Sequence, residues 1–227
     1  MENRKIRNKT EVVKSTKFPD VLVVTPLLPG HRISKDTKKT IKRNRLKFFW
    51  ISSQGKNNIP INYEQGLWWA EKNIKNLPKY CIMIDNDIIL GRSMLDRLHK
   101  RIHNTTSSVA FTYASFEFKG VINRQFPADP FNPNRLMKSN YISSNSMFKM
   151  DVINKVGLVK DDKYRRLLDW AFLLKLVGNG YIGKEEPRAR FIAMSETGSI
   201  SAGDNEDYRI KHARVFEDFI KPLVEKV

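Results

Sequence analysis

Short apolar runs alternate with helix-like stretches along most of the chain, and this alternation sets the expected fold. Four runs rich in β-branched and aromatic residues are apolar on both faces of an extended chain. They cover residues 20–25, 46–51, 80–84 and 108–113. Such runs are typical of central strands that helices cover on both sides. Helical patterns fall between them, at residues 34–43, 62–74 and 93–102. The alternation predicts an α/β fold, Rossmann-like, with a mostly parallel central sheet flanked by helices.

The second half of the chain has a less regular pattern. Residues 116–139 contain three prolines and several asparagines without a clear period, which predicts a long loop. Strand-like sequence returns at residues 141–150. Helices are predicted at residues 151–156, 167–177 and 205–221. The second of these is strongly apolar and is followed by Gly178-Asn179-Gly180, a typical helix end.

The length and composition indicate one globular domain. The chain has 227 residues, of which 41% are apolar, an ordinary share for a single large domain. Residues 1–18 are polar and charged, so we expect a loose basic arm there and a single domain over residues 19–227. Cys81 is the only cysteine, which rules out a disulfide within the chain and suits a reducing compartment. No apolar stretch is long enough to span a bilayer, and no apolar core follows the basic N-terminus, so a cytoplasmic location is expected.

The formal net charge of +17 indicates anionic partners. Much of the charge lies in residues 1–17 and 35–47, which we interpret as a solvated basic face. Such a face also favours peripheral contact with the anionic cytoplasmic side of a membrane. The sequence contains no helix-turn-helix, zinc-finger or aromatic RNA-binding signature, so no specific nucleic-acid partner is expected. A Gly-rich phosphate loop is also missing, which leaves dehydrogenase and kinase activities without support.

Two carboxylates follow the third apolar run directly, in the triplet Asp85-Asn86-Asp87. In an open parallel sheet, ligands bind beyond the carboxyl ends of the strands, which is where these side chains are expected. Two carboxylates in one turn can face a divalent cation whose other positions go to water and phosphate oxygens. The alternative is an ordinary turn, because Asp and Asn are common turn residues. We favour the metal-binding interpretation.

A third carboxylate, Asp169, lies at the start of the otherwise apolar helix predicted at residues 167–177. A partly desolvated carboxylate is suited to accept a proton from a hydroxyl group. Two other interpretations fit this residue equally well on its own. It could stabilise the first turn through the helix dipole, or it could pair with Arg165 or Arg166.

Several segments in order resemble the family 2 glycosyltransferases, which have the GT-A fold. Residues 21–26 are similar to the first strand of that family, and residues 82–88 resemble its DXD metal motif. Residues 65–73 resemble the helix before that motif. The segments at 146–157, 168–181 and 198–201 resemble the region before the catalytic helix, that helix, and a late serine-containing motif. The resemblance covers residues 19–201, which is most of the chain.

The resemblance implies an inverting transfer of a hexosyl group from a nucleoside diphosphate sugar to a hydroxyl of a glycan, lipid or protein-linked acceptor. It assigns metal binding, with Mn²⁺ or Mg²⁺, to Asp87 and Asp85, and the general base to Asp169. The acceptor is expected beside Trp170 and Ser144. The nucleotide sugar is expected to contact Thr25, Pro26, Leu27, Ser52, Ser53, Gln65, Asp85 and Asn86.

The chain departs from the family pattern at the second strand, which ends Ser52-Ser53-Gln54 where acidic residues usually hold the base. A UDP-sugar is the favoured donor, with GDP and dTDP sugars as alternatives. Two other functions stay open. A sugar nucleotidyltransferase would use the same carboxylates, although residues 27–32 offer only one glycine and one arginine for its usual loop. A non-catalytic module could bind polyanions or glycans through the basic face.

Overall fold

The computed structural model describes residues 9–121, 123–195 and 205–225. The strands are β1 Lys9–Lys14, β2 Val21–Leu27, β3 Phe48–Gln54, β4 Tyr80–Met83, β5 Ile88–Leu90, β6 Val109–Gly120, β7 Arg124–Phe126, β8 Met147–Lys149 and β9 Ile182–Ser195. The helices are α1 Lys35–Lys42, α2 Ile59–Asn73, α3 Met94–His103, α4 Pro133–Lys138, α5 Met150–Val156, α6 Leu168–Gly178, α7 Asn205–Val215 and α8 Lys221–Val224. A 3₁₀ turn at Asp162–Tyr164 precedes α6, and a π-helical turn at Phe216–Ile220 joins α7 to α8.

In the described ranges the strands form one nine-stranded sheet, with the order β1-β3-β2-β4-β8-β6-β9-β5 and β7 paired to β6. Strand β2 is parallel to β3 and β4, and β6 is parallel to β9. The remaining pairings are antiparallel. The predicted α/β fold is therefore confirmed, with parallel order in β3-β2-β4 and a sheet that is mixed as a whole. Because β2, β3 and β4 run in one direction, their carboxyl ends meet at one edge.

The central strands are buried on both faces, as their continuous apolar runs predict. On one face, Leu22, Val24 and Ile51 pack in a core that α2, α5 and α6 complete. On the other face, Val21 and Trp50 pack in a second core that α1 and α3 complete. Close approach of α2 to the sheet requires Gly66, since a Cβ there would lie 2.6 Å from Val24 Cγ1. Within the described residues, no helix combines the length and apolar character needed to cross a membrane.

Two segments that the sequence predicted to be irregular are ordered. Within the predicted loose arm, Lys9–Lys14 is an edge strand that pairs antiparallel with β3. Its charged residues leave no continuous apolar run, so the sequence pattern did not indicate a strand. Charged side chains are common on edge strands because they discourage pairing with other chains. The predicted loop at residues 116–139 contains the end of β6, the strand β7 and the helix α4. Aromatic stacking of Phe116 on Phe126, with ring centroids 4.5 Å apart, accounts for the hairpin between β6 and β7.

Strand β9 was not predicted, because its fourteen residues carry charges at many positions. Its burial alternates, and it pairs with β6 over most of its length with a register shift where Glu186 and Arg190 face Ala114 and Ser115. The short strand β5 was missed as well. The region predicted as a strand at residues 141–150 is a strand only at Met147–Lys149.

Candidate active site

The acidic triplet forms the turn between β4 and β5, at the edge where the parallel strands end. The chain stays bonded to the sheet up to this turn, since Ile84 N donates to Val24 O at 3.0 Å. Asn86 is held by the segment that begins α1. Its carbonyl oxygen accepts from Ser34 N at 2.9 Å and from Thr37 Oγ1 at 3.0 Å. Asp87 is exposed. The turn is therefore fixed at Asn86 and leaves the Asp87 carboxylate at the surface of the edge.

Asp85 is half-buried and is held by Asn145 through a reciprocal pair of hydrogen bonds. Asp85 N donates to Asn145 Oδ1 at 3.0 Å, and Asn145 Nδ2 donates to Asp85 Oδ2 at 2.9 Å. Burial, followed by the charges of Asp87 and Asp169, raises the pKa of Asp85 to about 6, although the hydrogen bond from Asn145 opposes the rise. The three carboxylates therefore share one electrostatic environment, which favours a bound cation or proton.

Asp169 occupies the first turn of α6, as the sequence predicted. Its Oδ1 accepts from Trp170 N at 2.8 Å, and its Oδ2 accepts from Asn140 Nδ2 at 3.2 Å. Burial raises the pKa of Asp169, and these two hydrogen bonds partly offset the rise. Within the described part of the chain, the Asp169 carboxylate contacts Trp170 and Asn140, and no contact supports the alternative pairing with Arg165 or Arg166. The carboxylate is oriented by neutral donors and is partly desolvated.

Sequence reasoning missed Asn140 and Asn145, although each holds one of the two acidic sites. They lie five positions apart in one segment between α4 and β8, so a single stretch of backbone positions the acidic turn and Asp169. The only sequence signal was the frequency of Asn and Ser in residues 139–146. Asn140 Oδ1 and Gln65 Oε1 are buried without a hydrogen-bond partner among the described protein atoms. Buried acceptors are normally satisfied, so both are available to a ligand N–H or hydroxyl.

The residues predicted to line the nucleotide site do meet at the ends of β2 and β3. Thr25 is opposite Ser52, and Pro26 is opposite Ser53. The side chains of Thr25 and Ser53 are fully buried, however. Thr25 Oγ1 accepts from Trp50 Nε1 at 3.0 Å, and Ser53 Oγ accepts from Thr10 at 3.4 Å. The side-chain oxygens of Thr25 and Ser53 are therefore used within the sheet, and the place of these residues at the nucleotide site stays a prediction.

Beyond the ends of the predicted set, Leu28 and Gln54 are more accessible to solvent than Thr25 and Ser53. Leu27 is itself buried, and its carbonyl oxygen accepts from Asn62 Nδ2 at 2.7 Å. Leu28 and Gln54 are half-buried, and Gln54 Nε2 donates to Leu28 O at 2.7 Å.

Trp170, which was predicted on the acceptor side, is buried, and its role there stays a prediction. Its side chain is 1% exposed, and Nε1 donates to Leu136 O at 2.7 Å, so the indole anchors α4 inside the core. Ser144 is half-buried, next to the Asn145 that holds Asp85. The late serine motif at residues 198–201 lies outside the described residues.

The donor set at Asp85 and Asp87 fits a hard divalent cation. Carboxylate oxygens are the ligands that Mg²⁺ and Mn²⁺ prefer, and such ions often keep positions for water and substrate phosphates. The charge of Asp87 raises the pKa of Asp85, a like-charge repulsion that a cation between them would relieve. Across the residues that are described, no cluster of three or more His, Cys, Asp or Glu side chains forms a protein-only metal site. Phosphate oxygens would have to complete the ligand set.

Together, the mixed sheet, the acidic turn after β4 and the carboxylate at the start of α6 define the class: the fold is that of the GT-A-type glycosyltransferases. Comparison by sequence gives no further assignment, since no family model matches and no curated protein matches.

The chain is similar in structure to several solved glycosyltransferases. The fragment 1–349 of TarS from S. aureus superposes with a TM-score of 0.59 at 10% identity, covering 88% of this chain and 72% of that one. The same fragment in complex with UDP gives 0.61 at 11% identity, covering 88% and 66%. The mannosyltransferase PcManGT from Pyrobaculum calidifontis, in complex with GDP-Man and Mn²⁺, gives 0.56 at 10% identity, covering 92% and 65%. This chain thus spans about two thirds of these three structures and 44% of a longer TarS structure, and at such identities the likeness establishes the fold.

Proposed function

We propose that this protein is a metal-dependent inverting glycosyltransferase that transfers a hexosyl group from a nucleoside diphosphate sugar to an acceptor hydroxyl. The observation that carries the proposal is the linkage of two acidic sites. The acidic turn after β4 and Asp169 at the start of α6 are held by Asn145 and Asn140 of one segment. A diphosphate-binding cation and a proton acceptor are the two groups that such a displacement needs.

For the donor side, the support comes from the ligands of proteins with the same fold. TarS has been crystallised with UDP and with UDP-GlcNAc, and PcManGT with GDP-Man and Mn²⁺. A UDP-sugar is the favoured donor here, with GDP and dTDP sugars as alternatives. Asp87 and Asp85 would hold the Mn²⁺ or Mg²⁺, which when bound neutralises charge on the departing diphosphate.

Asp169 is the general base of the proposed reaction. Its raised pKa makes the carboxylate a stronger proton acceptor than an exposed aspartate. It takes the proton of the acceptor hydroxyl while the hydroxyl oxygen bonds to the anomeric carbon and the bond from that carbon to the diphosphate oxygen breaks. The N–H of Trp170 and the amide of Asn140 keep the carboxylate in one orientation. Attack opposite the leaving group inverts the anomeric configuration.

The substitution Asp169→Asn tests this role, and the chain offers a matched control. Asp151 also lies in the first turn of a helix, and its Oδ1 accepts from Val152 N at 2.9 Å, but it is exposed. We expect Asp169→Asn to lower kcat by a factor on the order of 10²–10⁴, as for loss of a general base. The Asp151→Asn variant should keep wild-type turnover, and both should bind the nucleotide.

Turnover is measured as nucleoside diphosphate release from a panel of nucleotide sugars with glycan, lipid-linked and protein-linked acceptors. A wild-type kcat in the Asp169→Asn enzyme would show that Asp169 is not the general base. Pyrophosphate release from a nucleoside triphosphate and a sugar phosphate would instead identify a sugar nucleotidyltransferase.

A further inference from the structure

The two faces of the sheet differ sharply in charge. Helices α1 and α3 cover one face, where α1 carries four lysines against Asp36, and α3 carries Arg97, Lys100 and Arg101 against Asp96. On the other face, α2 carries Glu64 and Glu71 against Lys72. Helices α5 and α6 there each carry one acidic and one basic residue. Among these five helices, the net positive charge is therefore concentrated on the side of α1 and α3.

The charge on the α1 and α3 side is presented to solvent. Between residues 35 and 47, every exposed side chain except that of Asp36 is basic. These side chains are Lys35, Lys38, Lys39, Lys42, Arg43, Arg45 and Lys47. The buried side chains of α1 are Thr37, Thr40 and Ile41, so the lysines contribute nothing to the core. We call this set, with Arg92 and Lys100 of the neighbouring α3 region, the basic face.

The basic face is one continuous surface. The end of α1 is bonded to the start of α3, since Leu95 N donates to Asn44 Oδ1 at 2.9 Å and Arg45 N donates to Asp96 Oδ2 at 3.3 Å. Among the described residues, no acidic side chain forms a salt bridge with any lysine or arginine of the basic face. The salt bridge of Arg101 with Glu185 lies beside it. Uncompensated charge of this density repels itself and is costly to maintain unless an anionic partner balances it.

An exposed aromatic residue lies at the margin of this surface. Phe18 is 60% exposed, and the ammonium of Lys17 lies 5.5 Å from its ring centroid. Two residues later, Asp20 N donates to Lys47 O at 2.8 Å, which ties this margin to the basic face. Lysines beside an exposed aromatic ring are typical of surfaces that rest on anionic lipid headgroups.

We propose that the basic face is a docking surface for a bilayer containing anionic lipids. Basic side chains spread over two helices that lie side by side match a lipid surface better than a nucleic acid. A nucleic-acid reader inserts one element into a groove or stacks bases on several aromatic rings. Helix α1 begins at the acidic turn, through Ser34 N and Thr37 Oγ1 bonded to Asn86 O, so the docked surface brings the catalytic edge close to the membrane.

Vesicle co-sedimentation tests the proposal, with full-length protein and vesicles of phosphatidylcholine with or without phosphatidylglycerol. Wild-type protein is expected to bind only the anionic vesicles and to lose binding at high salt. A lysine near such a surface contributes about fivefold to partitioning. We expect the triple variant Lys38→Glu, Lys39→Glu, Lys42→Glu to bind at least about a hundredfold more weakly.

The matched control is Lys72→Glu, Lys75→Glu, Lys155→Glu. These lysines are exposed on the other side of the sheet, in or next to the last turns of α2 and α5, so net charge and helix context change equally. The control should bind like the wild type. If charge reversal disturbs folding, the triple Lys→Gln variant at the same three positions replaces the Glu variant. Thermal melts show whether each variant is folded.

Three outcomes would overturn the proposal. The first is that the wild-type protein does not bind anionic vesicles at low salt. The second is equal loss of binding in the basic-face and control variants, which would indicate total charge and not this face. The third is a basic-face variant that loses duplex DNA or RNA binding but keeps vesicle binding, which would make nucleic acid the partner.

Discussion

At the scale of single residues, Asp85 has the environment that most affects the chemistry of the site. Its carboxyl is half-buried, faces the charge of Asp87 and keeps one strong donor, Asn145 Nδ2. A carboxylate in such surroundings is held in an unfavourable charged state until a cation arrives. The protein thus gives up stability at the site where it is expected to bind metal, a common trade-off in functional sites.

This environment predicts a pH-dependent stability in the presence of a chelator. The pKa of Asp85 rises from 3.8 to about 6 on folding, so the folded state binds the proton more tightly than the unfolded state. The stabilising effect of that proton is present in full below pH 4 and is lost as the pH rises through 6. Asp85→Asn removes the charge and can keep a bond to Asn145. At pH 7.5 we expect the variant to be more stable than the wild type by on the order of 1–3 kcal/mol.

Urea denaturation at a series of pH values measures this difference, which should shrink towards zero as the pH falls to 4. A gap between variant and wild type that stays constant from pH 4 to 8 would show that Asp85 titrates normally.

At the scale of elements, the segment between α4 and β8 connects the two acidic sites. Asn145 is 2% exposed, and both its amide atoms bond to Asp85, while Asn140 bonds to Asp169. The segment is attached to the core through Tyr141 and Ile142, which are buried. Displacing this segment should therefore change both acidic sites together.

The substitution Asn145→Ala tests the segment as a positioning device. It removes both bonds to Asp85, and loss of a partner that orients a metal ligand typically costs about 10–100-fold in metal affinity. We expect the concentration of Mn²⁺ for half-maximal turnover to rise by that factor. Asn154→Ala is the control, because Asn154 is exposed and bonds to Glu71 far from the edge. An Mn²⁺ requirement that is unchanged in Asn145→Ala would show that Asp85 needs no such support.

The sequence could predict the elements that have a continuous apolar run or a clear helical period. Strands β2 and β4 and helix α6 are continuous apolar runs, and the acidic turn and Asp169 are located by their direct connection to them. Strand β9 and edge strand β1 have charged residues between their apolar positions, and their pairing partners are distant in the sequence. Asn145 could not be predicted for the same reason, because its partner Asp85 lies sixty positions away in the sequence.

At the scale of the whole molecule, the GT-A-type fold separates three tasks. The acidic turn lies at the carboxyl ends of the parallel strands, and the segment between α4 and β8 bonds both to it and to Asp169. The basic face lies on the helices that cover one side of the sheet. The solved structures with this fold are about 10% identical to the chain, so the fold is compatible with very different side chains.

The most direct test of the account is the thermal stability of wild-type and Asp87→Ala protein with a nucleoside diphosphate, with and without Mn²⁺. A ligand that binds only the folded state at 100 times its Kd adds about 2.7 kcal/mol to the free energy of unfolding. We predict that UDP, GDP or dTDP raises the Tm of the wild type only when Mn²⁺ is present, and that Asp87→Ala shows no such joint effect. An equal rise in both proteins, or no rise in the wild type with any nucleotide at saturating Mn²⁺, would contradict the account.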